Sequence, residues 1–270
     1  MKNVGRKTAT LLVLVLLLAP VVRVAGQSKE PLPPPDSMTV WQARRTVAAS
    51  IAVGYDGRFP ITVDSGTFRF ALDSFEFDGA LHNGNREHFK VDLKGLEPLF
   101  AKKSRFRLGY VYVVTDAAGR DLPSPLNRLS YDSAVAASLA AALNRLRALA
   151  GDQATPLRDF PQRAATWRAL PSKPPIPEEA RAQRLLAEDA VKQNKPQEAL
   201  NRYETGLELY PTWPQGYFNA ALIAAELGFY ADAVDHMQAY LELLPDAPDA
   251  QSARDQMVIW RHKAGQPDKK

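Results

Sequence analysis

Two stretches near the end of the chain decide the fold: residues 180–211, ARAQRLLAEDAVKQNKPQEALNRYETGLELYP, and residues 214–245, PQGYFNAALIAAELGFYADAVDHMQAYLELLP. They align at a spacing of 34 residues, which brings Pro211 into register with Pro245. The other matched pairs are Ala187 with Ala221, Ala190 with Ala224, Ala199 with Ala233, Tyr203 with Met237, Gly206 with Tyr240 and Leu209 with Leu243. Short side chains at fixed places let helices cross closely, and a period of this size is typical of units that stack.

Each stretch is predicted to be a pair of helices joined by a tight turn. Asn194-Lys195-Pro196 forms the first turn, and Pro196 suits the first position of the helix that follows. Leu227-Gly228-Phe229 forms the second turn. A further helix is expected from Ala250 to about Lys263, with Asp249 as its N-cap. Because an end repeat must cover the last apolar face, this helix is predicted to cap the array.

At these positions the segment resembles the tetratricopeptide repeat family. The residues that carry the resemblance are Gln183, Leu186, Ala187, Ala190, Ala199, Tyr203, Gly206 and Pro211 in the first unit, and Tyr217, Ala220, Ala221, Ala224, Ala233, Met237 and Pro245 in the second. Gln183 and Tyr240 depart from the family pattern. The resemblance implies an all-α array over 177–265, formed by two repeats and a capping helix, with a groove that binds a protein or peptide.

The resemblance also implies which residues line that groove, because the first helix of each unit faces it. The candidates are Arg184, Glu188, Asn219, Ile223 and Glu226. Only Asn219 matches the residues with which some members of the family grip a terminal carboxylate, although Arg184 could replace a lysine. The acidic candidates favour a basic or neutral peptide instead.

Residues 38–150 are predicted to form an α+β domain of antiparallel strands followed by one helix. Alternation in 68–77, 89–93 and 106–114 indicates strands, and Asn83-Gly84 is a hairpin signal. Tyr131 to Ala150 carries apolar residues at helical spacing. The stretch from Trp41 to Ala49 fits either a helix or a first strand.

This order of elements is similar to the pleckstrin-homology family and related small barrels, in which a C-terminal helix plugs an open end of a bent sheet. The resemblance implies a β-barrel-like domain that binds phospholipid heads or peptides. A basic cluster supplies the anion-binding candidates: Lys94, Lys102, Lys103, Arg105 and Arg107. The other interpretation is a charged strand edge that discourages aggregation.

Residues 1–26 have the parts of a secretory signal peptide. Lys2 and Lys7 give a positive start, and Leu11 to Ala19 form an unbroken apolar run. The run is shorter than the roughly 20 residues that span a bilayer, so cleavage is favoured over a retained anchor. The chain has no cysteine, which excludes disulfides and a lipoprotein anchor and fits a bacterial exported protein.

Proline-rich stretches divide the rest of the chain. Residues 27–37 and 151–176 are predicted to be linkers, so the folded parts are expected at 38–150 and 177–265. Without residues 1–26 the chain holds 30 basic and 30 acidic residues, and nucleic-acid binding by bulk charge loses support.

Charge is unevenly distributed in the mature chain. Residues 27–176 have a net charge of +5 and residues 177–270 a net charge of −5. The two parts could attract each other, steer different partners, or be ordinary solvated surfaces.

The sequence contains no recognisable catalytic motif: no P-loop, dinucleotide fingerprint or Gly-x-Ser-x-Gly elbow is present. The four histidines lack metal-binding spacing, and His236 is expected on a surface or in the groove. We therefore expect no catalytic residue, metal or cofactor.

These observations together predict a periplasmic or secreted scaffold or adaptor without catalysis, which binds a protein or peptide through its repeat groove and which could self-associate. The alternative is an envelope protein that reads lipid or anions with its middle domain. An enzyme with an unrecognised site is a third hypothesis.

Overall fold

The computed structural model describes residues 38–56, 59–106, 109–120, 122, 126–153, 155 and 157–265. The fold is α+β, with small antiparallel sheets followed by a series of helices. The predicted signal peptide 1–26, the linker 27–37 and Arg107 lie outside the described residues.

The described part of the chain begins with one helix, continues through short strands and ends in helices. The strands are β1 Tyr55–Asp56, β2 Phe59–Pro60, β3 Thr62–Val63, β4 Arg69–Phe70, β5 Ser74–Ala80, β6 Arg86–Asp92, β7 Leu99–Phe106, β8 Gly109–Asp116 and β9 Leu129–Ser130. The helices are α1 Val40–Ala52, α2 Ser133–Gly151, α3 Phe160–Ala169, α4 Glu178–Lys192, α5 Pro196–Leu209, α6 Pro214–Glu226, α7 Tyr230–Leu243 and α8 Ala250–Lys263.

The described strands lie in three antiparallel sheets. In the first, β1 pairs with β2 and β9; in the second, β5 pairs with β6 along one edge and with β3 and β4 along the other; in the third, β7 pairs with β8. A two-residue bridge between Tyr112 and Tyr131 joins β8 to the chain after β9. Within the described ranges these sheets do not close into a barrel, so the small-barrel resemblance stays a hypothesis.

One sequence prediction about these strands is wrong. Residues 106–114 were expected to form a single strand, but β7 ends at Phe106 and β8 begins at Gly109. The two strands pair antiparallel, so residues on either side of 107–108 belong to different strands of one sheet. By contrast, the hairpin expected at Asn83-Gly84 joins β5 to β6, and Gly84 has the positive φ of 78° that such a turn requires.

The stretch from Trp41 to Ala49, which the sequence allowed to be either a helix or a first strand, is part of helix α1. Thr39 and Gln42 form a reciprocal capping box at its start. Its apolar side packs on α2, whose inward residues repeat at helical spacing as predicted. The segment 151–176, which the prolines indicated to be a linker, contains α3; Pro161 occupies its first turn, and Trp167 is buried.

The last five helices pack one against the next in chain order, from α4 to α8. The alanines matched at the 34-residue spacing are all buried, which is what close crossing of consecutive helices requires. Gly206 and Gly216 make room for the buried ring of Trp213: a Cβ at Gly216 would lie 2.4 Å from it. This arrangement is compatible with a tetratricopeptide-like array.

The N-cap interaction predicted for Asp249 at the start of α8 is wrong. Asp249 occupies the N-cap position, but its side chain makes no capping hydrogen bond. It accepts one from the Tyr240 hydroxyl at 2.5 Å instead. Burial first, and then this carboxylate, raise the pKa of Tyr240 to about 12. Tyr240, which departs from the family pattern, thus ties α7 to the start of α8.

Candidate functional site

The structure gathers three of the five groove candidates around one buried tyrosine. Asn219 on α6 donates to the Tyr203 hydroxyl on α5 at 3.1 Å. Burial raises the pKa of Tyr203, Asn219 lowers it, and the charges of Glu188 and Arg184 act on it in opposite directions. Arg184 and Glu188 also face each other along α4 at 3.7 Å. Asn219 and Tyr203 are thus hydrogen-bonded to each other, whereas the buried Nε of Arg184 has no hydrogen-bond partner among the described residues.

The other two groove candidates separate. Ile223 is buried in the packing of α6, so it is a core residue rather than a groove residue. Glu226 is exposed at the end of the same helix. On a helix, neighbours three and four positions apart share a side. Asn219, Leu222, Ile223 and Glu226 therefore lie along one side of α6, where Leu222 is exposed and Ile223 is buried.

Sequence reasoning missed the apolar residues that this part of the protein exposes. Six of them lie on the first helix of each unit and on α8, and each is 45–50% exposed: Leu185, Leu186, Val191, Leu222, Val258 and Ile259. Leu209, at the end of the second helix α5, is 51% exposed. The repeat pattern predicts that such units bury one another's apolar faces. The first helix of the array has no earlier unit to pack on in the described chain, so only Ala180, Ala187 and Ala190 of α4 are buried.

The opposite side of the array carries buried charge. Arg45, from α1, makes a two-pronged contact with Glu204 on α5, with N–O distances of 2.6 and 2.9 Å. The same guanidinium also bonds Asp232 on α7. Thr39 adds a hydroxyl bond to Glu204 at 2.9 Å. Planar Arg–carboxylate pairing of this kind fixes orientation as well as contributing energy.

Glu208, one turn along α5, anchors the beginning of α1. It accepts from the Val40 amide at 2.5 Å and from Arg145 of α2 at 2.8 Å. Arg145 in turn donates to the Met38 carbonyl at 2.8 Å. Helices α1 and α2 are therefore held to the second helices of both repeats by charge-assisted hydrogen bonds.

The pKa directions follow from this geometry. Burial opposes ionisation of Glu204, but Arg45 and His236 outweigh it and lower the pKa of Glu204 from 4.5 to about 2. Burial would lower the pKa of Arg45, yet the two carboxylates raise it. For Glu208 burial is the stronger influence, and its pKa is raised.

His236 corrects another expectation. It was predicted on a surface or in the groove, but it is only 1% exposed on α7. Its ring lies 4.8 Å from Trp41 of α1 and 6.1 Å from Tyr217 of α6, and its Nε2 is 3.5 Å from Glu204. The histidine lies inside the contact between α1 and the array, which no spacing in the sequence could reveal.

The basic candidates do not form one cluster. Lys94 pairs with Asp73 at 2.7 Å, and this lysine is the main reason that the pKa of Asp73 is lowered. Lys102, Lys103 and Arg105 are exposed on β7, where alternation places Lys102 on one face and the other two on the opposite face. The Lys103 ammonium lies 4.1 Å from the centre of the exposed Tyr110 ring.

Among the described residues, no group of three metal-ligating side chains converges. None of the helices in the described ranges is long and apolar enough to cross a membrane.

The chain matches no protein-family model and no curated protein. The tetratricopeptide resemblance therefore rests on the matched residues and on the order of the helices.

Proposed function

We propose that the chain is an exported adaptor without catalytic activity, which binds a protein segment on the first-helix side of a tetratricopeptide-like array. The observation that carries the proposal is the set of half-exposed apolar residues on α4, α6 and α8. Monomeric proteins rarely leave contiguous apolar surface uncovered unless something binds there.

The contacts of the second helices also support the proposal. The second helices α5 and α7 are engaged by α1, so the first helices are the part of each repeat that remains accessible. The exposed Glu226 shares a side of α6 with Leu222, and Glu188 is exposed on α4. A partner segment with apolar anchors and basic or neutral flanks fits this surface.

Peptide-library selection against the full chain tests the proposal. We expect the selected peptides to bind Leu222→Asp at least about tenfold more weakly than the unaltered chain, since a buried charge would replace an apolar contact. Leu209→Asp is the matched control: Leu209 is 51% exposed, but it lies on the second helix α5. Equal losses in both variants, or no selected peptide at all, would contradict an adaptor role for this face.

The hairpin of β7 and β8 supports a second candidate, the binding of lipid heads or other anions by a barrel-like middle domain. Its exposed aromatic residues, Phe100 and Tyr110, lie among Lys102, Lys103 and Arg105. Sedimentation with vesicles of anionic lipid tests it. The double variant Lys102→Glu/Lys103→Glu is expected to abolish binding, and binding that survives this variant would remove the hairpin from consideration.

A further inference from the structure

A second concave site lies between α1, β4, α3, α6 and α7, away from the exposed groove. Its volume is about 310 Å³, within the range of roughly 300–1,000 Å³ typical of small-molecule sites. The residues that matter for its chemistry are Trp41, Arg44, Phe70, Phe160, Tyr217 and Glu242.

Neighbouring rings hold the aromatic walls of this cavity in place. Phe160 meets Tyr217 edge to face at 5.5 Å, and Trp41 packs against His236. Phe70 stacks on Phe75 at 5.5 Å. Because each ring packs against a neighbouring ring, the walls are formed before any ligand enters. This lowers the entropic cost of ordering side chains on binding.

The charges of the cavity do not balance. Arg44 lies over the Phe70 ring at 5.8 Å and pairs with Asp235 at 4.0 Å. Glu242 has no such cation: its Oε1 accepts a long bond of 3.4 Å from Gln238, and its Oε2 has no hydrogen-bond partner among the described residues. Arg168 donates to the backbone carbonyl of Glu242, not to its carboxylate.

The unmatched carboxylate lies beside aromatic walls. Glu242 and Tyr217 line the same cavity, and after burial the charge of Glu242 is a further cause of the raised pKa of Tyr217. A buried carboxylate oxygen without a hydrogen-bond partner, such as Oε2 of the half-buried Glu242, is costly, and a cation supplied by a ligand removes that cost. Aromatic faces attract cations as well.

We propose that this cavity binds a primary amine with an aromatic or aliphatic body. The ammonium donates to Glu242, and the body lies between Trp41, Phe160 and Tyr217. This inference is independent of the groove and its partner. The Nε of Arg44 also lacks a hydrogen-bond partner within the described chain, so an apolar carboxylate is the competing ligand.

Calorimetric titration of the full chain with two matched probes decides between them. Tryptamine and indole-3-propionate share one ring and carry opposite charges. We expect tryptamine to bind at least about tenfold more tightly, and we expect Glu242→Gln to remove that preference. Glu198→Gln, which removes an exposed carboxylate from α5, should leave the binding of both probes unchanged.

A second measurement keeps the proposal testable if the Glu242 variant folds poorly. In the unaltered chain, tryptamine ring protons should show nuclear Overhauser contacts to the Trp41 indole, and Ala239→Phe should abolish binding because Ala239 lines the cavity. Tighter binding of indole-3-propionate, or no binding of either probe at millimolar concentration, would overturn the assignment.

Discussion

The two helices of each repeat differ in which residues they bury: the second helix buries charged residues, and the first helix leaves apolar residues exposed. The second helices, α5 and α7, bury Glu204 and Asp232, whereas the first helices, α4 and α6, leave Leu185 and Leu222 nearly half exposed. An isolated amphipathic hairpin would show the reverse. The difference shows that α1 supplies the environment of the second helices, while the described chain supplies none for the outer side of the first.

The uneven distribution of net charge along the chain is explained by the same contacts between α1, α2 and the second helices. Arg44, Arg45 and Arg145 come from the basic part, and their partners on α5 and α7 come from the acidic part. Of the interpretations open at the sequence level, attraction between the two parts is the one that the contacts support. The remaining question is how much each side of the repeat contributes to stability.

The largest expected effect comes from Arg45→Met. It leaves Glu204 and Asp232 facing each other in a buried site without their cation, and breaking a buried pair in this way costs about 3–5 kcal/mol. Urea unfolding measures the loss. Arg181→Met is the matched control, because Arg181 pairs with Glu178 on the exposed side of α4, where an ion pair contributes about 0–1 kcal/mol. Similar losses in both variants would mean that the second helices are not specially dependent on α1.

The next effect is a pH dependence that arises from Glu204. Its pKa is lowered from 4.5 to about 2 in the folded protein, so its contribution is complete above pH 4.5 and is lost as the pH falls towards 2. The shift corresponds to about 3 kcal/mol. Unfolding free energies of the unaltered chain and of Glu204→Gln should therefore converge over this range.

Glu188→Gln controls for the removal of one carboxylate, since Glu188 is exposed on α4. Its unfolding free energy should run parallel to that of the unaltered chain over the same pH range. If the unfolding free energy of Glu204→Gln also runs parallel to that of the unaltered chain, Arg45 does not stabilise the Glu204 carboxylate in solution. The contrast between the first and second helices of the repeats would then be weaker.

The sequence predicted the parts of the fold that depend on local pattern. The 34-residue spacing located the paired helices, Asn83-Gly84 located a hairpin, and the apolar spacing of 131–150 located α2. It failed where distant segments meet. Nothing near Arg45 indicates that its partners lie some 160–190 residues away, and His236 has no neighbour in sequence that predicts its burial.

The candidate site residues also divide into those that a local pattern predicts and those that depend on contacts between distant segments. Arg184 and Glu188 were predictable as neighbours because helical spacing places them together. The 34-residue register aligns Asn219 with Leu185, next to Arg184 in the sequence. Ile223 has the same helical spacing from Asn219 and Glu226, but it is buried in the packing of α6, and spacing within one helix does not predict which neighbours cover a residue. The cavity beside Glu242 draws on five separate elements, and no single pattern in the sequence connects them.

The smallest expected effect is on the exposed side of the repeats. Leu222→Ala should change the free energy of unfolding by no more than about 0.5 kcal/mol, because a half-exposed leucine leaves little cavity when it is shortened. The same truncation at Leu207, which is fully buried on α5, should cost about 2–5 kcal/mol. Urea unfolding of both variants measures the difference. A loss above about 1.5 kcal/mol for Leu222→Ala would place that leucine within the packed core, and the first helices would no longer offer a free apolar face.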